Sequence, residues 1–334
     1  MTASSRRQLL QLLIVYGALA AFFAVSLRMQ LRRYPVGLVP AAAIYVCLLL
    51  LFGMWLAPGF AVSRSWLRER LRGIGRAVAC AGLFTAPYLI YAAGTADFRW
   101  EALAKLLVFA VVPFGLYAVL PAAHPRRMNW QDAFLLLWLA LPVFLGKMRG
   151  IWNVPVNLDF MARVFIVAVG AWAFLIWRGV EDAGYEFRFD RVIVREGLLN
   201  FVGFAIVALP LGLALRFIAW NPRWRGPWTF IFDFVTIFIF IAVSEELFFR
   251  GLLQNLLEGT CNSRYGAQAV ASVLFGFSHI QHAPFPNWRY VILAGIAGWF
   301  YGSAYRRTRS LMACSTTHAL VDTVWRTWFT LPRM

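Results

Sequence analysis

The densest chemistry in this chain is Ser244-Glu245-Glu246-Leu247-Phe248-Phe249-Arg250, set in an apolar run that begins near Phe230. Two adjacent carboxylates and an arginine in hydrocarbon cost roughly 2.5–3.5 kcal/mol each at a helix centre. They therefore need partners or a function. The four-residue step from Glu246 to Arg250 puts both on one helical face, with the acid N-terminal to the base. Downstream, His279 closes Phe275-Gly276-Phe277-Ser278-His279, and His318 and Asp322 stand four apart in Ser315-Thr316-Thr317-His318-Ala319-Leu320-Val321-Asp322. The chain has four histidines, and these two lie deep in apolar segments that follow the Glu-Glu stretch. With a helical rise of about 1.5 Å per residue, Glu245, His279 and His318 come within about 8 Å of one plane.

The chemistry open to such a set is water activation. A carboxylate in a low-dielectric pocket serves as a general base. Two imidazoles either bind a metal or hydrogen-bond the water and the oxyanion. Glu245, His279 and His318 are thus candidate ligands for a divalent metal such as zinc. Asp322 would orient His318 or complete the ligand set. Arg250 would hold Glu246 ionised and fixed, leaving Glu245 to act on water.

The elements that position these residues are membrane helices. The chain is 61% hydrophobic and 14% charged, with mean hydropathy +0.66, against about 25% charged residues in a soluble domain. Its apolar runs are continuous rather than alternating, which favours helices over a barrel. The expectation is an all-α, polytopic helical membrane protein of about eleven transmembrane helices: 9–27, 36–57, 77–93, 102–120, a short and re-entrant-length 133–146, 161–177, 197–219, 228–258, 267–281, 290–305 and 311–329. The first run resembles a signal peptide but exceeds the usual h-region, so it reads as a retained span. Lys and Arg summed on alternate sides favour a cytoplasmic N-terminus.

The net charge of +17 does not point to nucleic acid, because the arginines sit between apolar runs. Those from Arg64 to Arg76 read as a solvated loop that touches anionic lipid. Fifteen Trp and eleven Tyr fit interfacial aromatic belts. Cys47, Cys80, Cys261 and Cys314 are scattered without a C-x-x-C pair and read as small hydrophobes. The polar stretch from Arg178 to Glu196, with its alternating 185–190, reads as a hairpin or an interfacial helix. It divides an N-terminal membrane bundle of unknown role, 1–196, from a C-terminal core, 197–334.

Glu-Glu-x-x-x-Arg, then Phe-x-x-x-His, then His-x-x-x-Asp, in order on successive helices, resembles the CPBP intramembrane protease family. That family includes the CAAX prenyl endopeptidases and bacterial abortive-infection-like relatives. The resemblance covers about Phe230 to Phe329, with the motifs inside 230–329. It implies that Glu245 activates water and that Glu246 and Arg250 fill the second acid and the arginine of the first motif. It further implies that Phe275 with His279 is the second motif and His318 the histidine of the third. The eukaryotic prenyl proteases usually have Asn where this chain has Asp322. The implied function is an intramembrane endopeptidase acting on a membrane-anchored protein or peptide at the lipid bilayer, in a bacterial inner membrane, with a metallo- or glutamate-dependent mechanism. Gly298 and Gly302 form a G-x-x-x-G face for close helix approach.

Plainer readings stand beside these. A structural ion pair accounts for Glu246 with Arg250 but not for the second carboxylate. His279 alone reads as an interfacial histidine, and His318 with Asp322 as a helix–helix hydrogen bond. His124 and His282 read as loop residues, and Phe275 as a wall. Asp233, Lys105 and Arg163 read as snorkelling or structurally paired. Two other functions fit the same residues: a non-catalytic partner-binding or immunity protein, and a proton-coupled transporter. The absence of an internal repeat counts against the last.

Overall fold

The computed structural model describes residues 3–31, 36–121 and 124–330. Apart from a two-residue strand pair, its regular elements are helical. They are α1 Ala3–Leu31, α2 Leu38–Leu56, α3 Ala61–Arg70, α4 Ile74–Thr95, α5 Trp100–Val119, α6 Trp130–Phe144 and α7 Phe160–Ala171 continued by a π-helical Trp172–Trp177. Then come α8 Arg191–Ala214, the strand β1 Ala219–Trp220, and α9, a single 35-residue helix over Pro227–Cys261. The chain ends with α10 Arg264–Phe277, α11 Trp288–Thr308, α12 Leu311–Trp328 and β2 Phe329–Thr330.

Each of the eleven expected runs falls on one of these helices. Among the described residues, seven are long and apolar enough to cross a membrane: α1, α2, α4, α5, α7 with its extension, α8 and α9. The others fall short for physical reasons. Helix α6 has 15 residues and α10 has 14. Helices α11 and α12 are long, but polar residues such as Ser303, Ser315, Thr316, Thr317 and His318, all buried in protein, lower their apolarity. Among those is His318, which belongs to the site described below.

Two compact units divide the chain: Met1–Pro125 with Asn129–Glu181, and Arg126–Met128 with Asp182–Met334. In the first unit, Phe84 of α4 packs edge-on to Phe114 of α5 and Trp172 beyond α7, both with ring centroids 5.3 Å away. Helix α6 starts at a capping box, in which Asn129 and Asp132 each accept the other's backbone N–H. Asp132 also forms a buried ion pair with Arg178, Nε to Oδ1 2.9 Å.

In the second unit, 182–190 is neither the hairpin nor the interfacial helix that its alternation suggested. Tyr185 is buried there, and Leu311 N–H bonds to Gly184 O at 2.9 Å, so contacts with the rest of the unit replace local structure. Asp190 ends this segment and caps α8, accepting Ile193 N–H at 2.9 Å. That cap starts α8 ahead of the expected Gly197. Gly197 lies against α12, where a Cβ would come within 3.0 Å of Thr316. Thr317 Oγ1 donates to Gly197 O at 3.0 Å, which fixes the rotation of α12. Beyond α8, β1 pairs antiparallel with β2, Ala219 with Thr330 and Trp220 with Phe329. Three of the four cysteines are buried, but Cys261 at the end of α9 is exposed.

Candidate active site

Helix α9 changes its winding where the carboxylates lie. Phe238–Ala242 and Leu247–Gln254 are π-helical, and Val243–Glu246 between them is α-helical. Such wide turns are rare and frequent at functional sites. Glu246 and Arg250 meet on one face as their spacing required, Arg250 Nε to Glu246 Oε2 3.1 Å, with neither side chain exposed. A charge pair this deep needs further hydrogen bonds. Arg250 Nη2 donates to Gly298 O on α11 at 2.9 Å, and its guanidinium lies 4.7 Å from the Phe275 ring and 5.3 Å from the Tyr301 ring. Gly298 is what lets the guanidinium in, since a Cβ there would come within 3.2 Å of Arg250 Nη2.

Glu246 has a second partner. His318 Nδ1, on α12, lies 2.8 Å from Glu246 Oε1. The opposite edge of the same ring faces two more carboxylates, with Nε2 3.6 Å from Asp322 Oδ2 and 3.9 Å from Glu245 Oε2. The ring plane is set by Tyr301, stacked at 4.6 Å and 14°. Tyr301 was not legible as a site residue. Its only signal was its place between Gly298 and Gly302 on the face expected to pack closely.

Access across the cluster is graded. The side chains of Glu246 and His318 are 0% and 4% exposed, whereas Glu245 and Asp322 are 36% and 31% exposed. Of the two adjacent glutamates, one is locked into the protein and the other can be reached.

His279 follows the last turn of α10. Its Nδ1 sits 2.9 Å from Phe275 O, a carbonyl that only accepts, so Nδ1 is the protonated nitrogen and Nε2 is left for other partners. Its ring lies 4.9 Å from the Phe275 ring, which in turn is 5.8 Å from the His318 ring. Phe275 is therefore in ring contact with both histidines, as a wall would be. Tyr290 packs on His279 at 4.6 Å, and His282 stacks on it at 5.8 Å. His282 does lie in the loop after α10, as expected, but it belongs to the surroundings of His279. His124 supplies a backbone carbonyl to Arg178 in the first unit.

The structure thus gathers Glu245, Glu246, Arg250, His318 and Asp322 into one cluster and links His279 to it through Phe275. Among the described residues, no group of three or more His, Cys, Asp and Glu is arranged to hold a metal ion. Glu245, His279 and His318 therefore do not form a ligand group in this arrangement.

Residues 227–324 match the family model of Rce1-like type II CAAX prenyl endopeptidases. The matched stretch takes in α9, α10, α11 and most of α12, with every residue of the cluster, and is similar to the family that the three motifs resemble. No curated protein and no solved structure matches the chain.

Proposed function

We propose that this protein is an intramembrane endopeptidase that hydrolyses a peptide bond of a membrane-anchored protein or peptide. The observation that carries the reading is the division between the two glutamates. Glu246 is held by Arg250 and by His318 Nδ1, while Glu245 is reachable and has no such commitment. Glu245 takes a proton from water as the oxygen attacks the scissile carbonyl carbon, and later gives that proton to the leaving amine as the C–N bond breaks. His318, fixed by Glu246 and stacked on Tyr301, donates from Nε2 to the developing oxyanion when protonated. His279 presents Nε2, which accepts from the attacking water when neutral and donates to the oxyanion when protonated. Asp322, an acceptor when ionised, orients His318 rather than donating to the oxyanion.

In this reading α6, α10, α11 and α12 join the seven apolar helices in the membrane, which gives the eleven spans. Two of those four, α11 and α12, keep polar residues such as Ser303, Thr317 and His318 buried in protein. The core, 197–334, carries the chemistry in a bacterial inner membrane, and the bundle 1–196 presents substrate or scaffolds the core. A metalloprotease with zinc on Glu245, His279 and His318 is the alternative mechanism. Metal analysis of the purified protein and activity in chelator decide between the two.

The direct test uses purified full-length protein in vesicles with lipid-anchored reporter peptides, including a prenylated CAAX tail. Glu245→Gln should lower cleavage by about 10²–10⁴-fold while the protein still accumulates in the membrane. Wild-type rates for Glu245→Gln or His279→Ala would overturn the mechanism.

A further inference from the structure

The segment Asn221-Pro222-Arg223-Trp224-Arg225-Gly226 breaks the chain between α8 and α9. It is held rigidly against the end of α12: Asn221 N–H bonds to Trp328 O at 2.8 Å and Arg223 N–H to Thr327 O at 2.7 Å. It forms one wall of a shallow, open cleft lined by Arg223, Trp224, Arg225, Asp233 and Arg326 among others. Asp233, buried, reaches Arg225 at 3.3 Å and Arg326 at 3.6 Å. Three guanidiniums against one carboxylate leave two positive charges in excess. Each guanidinium carries five N–H donors, so the pairs with Asp233 aim the arginines without exhausting them. Helix α9 begins at the same place, with Gly226 at φ +96°, Pro227 in its first turn and no acid there, and adds its positive end.

The cleft lies in an aromatic girdle. Trp224 stacks on Trp328 at 5.8 Å and 20°. Trp220 and Trp228 nearby in sequence are 64% and 81% exposed. Exposed tryptophans beside arginines at helix ends mark the headgroup layer of a bilayer. The cleft and the candidate site share one face of α12. His318, Asp322 and Arg326 follow one another at four-residue steps on α12, and their side chains are 4%, 31% and 57% exposed.

We propose that this cleft binds the phosphate of an anionic phospholipid headgroup on the face of α12 that also carries His318 and Asp322, with Arg223, Arg225 and Arg326 as donors and the Trp224–Trp328 stack as the shelf beneath. The phosphate matches the excess positive charge, and the tryptophans place the cleft at the depth where lipid phosphates are concentrated. This inference is independent of the peptidase reading, because binding is measured without turnover.

The test is native mass spectrometry of the purified full-length protein titrated with phosphatidylglycerol, phosphatidylcholine and inorganic phosphate. The wild type should retain one phosphatidylglycerol per chain. The triple variant R223Q/R225Q/R326Q should bind it about tenfold or more weakly, as expected when several near-surface basic contacts are lost. Arg223→Gln alone leaves both Asp233 pairs intact, so a smaller loss in a fully folded protein supports the same conclusion. Equal affinity of wild type and both variants would overturn it. Displacement of the lipid by an equal concentration of inorganic phosphate would also overturn it, in favour of a soluble anion. Lipid binding unchanged in the triple variant with loss of peptide cleavage would overturn it in favour of an acidic substrate tail.

Discussion

Asp132 with Arg178 in the first unit and Glu246 with Arg250 in the second are both acid–arginine pairs with no exposed side-chain surface. Their surroundings differ. Each oxygen of Asp132 accepts two donors: Oδ1 from Tyr117 Oη at 2.7 Å and Arg178 Nε at 2.9 Å, Oδ2 from Arg178 Nη2 at 3.1 Å and Asn129 N–H at 3.0 Å. That carboxylate is saturated, and it joins the start of α6 to Tyr117 and Arg178. Glu246 instead shares Oε1 between Arg250 Nη1, at 3.2 Å, and the imidazole of His318, whose other edge faces two partly exposed carboxylates. A buried charge becomes chemistry when its bonds aim a second group at something that solvent and substrate can reach. Burial and pairing alone do not distinguish the two cases.

The strongest way to break this contrast is to neutralise each carboxylate. Breaking a buried pair by removing one partner costs about 3–5 kcal/mol, so Asp132→Asn and Glu246→Gln should both lower thermal stability in detergent by a comparable amount. Only Glu246→Gln should also lower cleavage per folded molecule, because it releases His318 from its orientation. The expected loss is about 10²-fold or more, in the range for a misplaced acid–base group. An Asp132→Asn protein that folds normally but cannot cleave would erase the distinction.

A smaller effect comes from keeping the charge and changing its shape. Lysine cannot reproduce a planar fork, so Arg178→Lys and Arg250→Lys each lose charge-assisted hydrogen bonds worth about 1.5–3 kcal/mol. Arg250→Lys also gives up the contact with Gly298 O and the approach to the Phe275 and Tyr301 rings. Its turnover should fall with its stability, while Arg178→Lys loses stability alone. Parallel measurements of melting temperature and kcat check this.

The two pairs also differ in how far they could be read from sequence. Glu246 and Arg250 announce themselves, because four residues on one helix fix their meeting whatever the rest of the chain does. His318 and Asp322 share that advantage. Asp132 and Arg178 lie 46 residues apart, and Arg178 read as part of a polar linker, so nothing local joins them. Helical runs were legible because hydrocarbon demands them. The irregular course of 179–190 was not, since its structure comes from contacts such as Leu311 N–H with Gly184 O. The link from Glu246 to His318 crosses 72 positions. That Glu246 would be the fixed glutamate followed from its step to Arg250, but that His318 would be its second partner did not. Tyr301 was missed because a stacked ring leaves no spacing signature.

That tyrosine supplies the smallest and finest comparison. Tyr117 and Tyr301 are both buried beside an acid–arginine pair, but one works through its hydroxyl and the other through its ring. Tyr117→Phe removes a hydrogen bond to a charged carboxylate and should cost about 1.5–3 kcal/mol of stability with no change in kcat. Tyr301→Phe keeps the ring parallel to His318 and should leave both stability and cleavage close to wild type. Tyr301→Leu removes the stack, worth about 0.5–1.5 kcal/mol beyond simple burial, and frees His318 to tilt away from its place between Glu246 and Asp322. Its kcat should therefore drop while Tyr301→Phe holds. If Tyr301→Phe loses activity as fully as Tyr301→Leu, the hydroxyl takes part in the chemistry and the ring-only role is wrong.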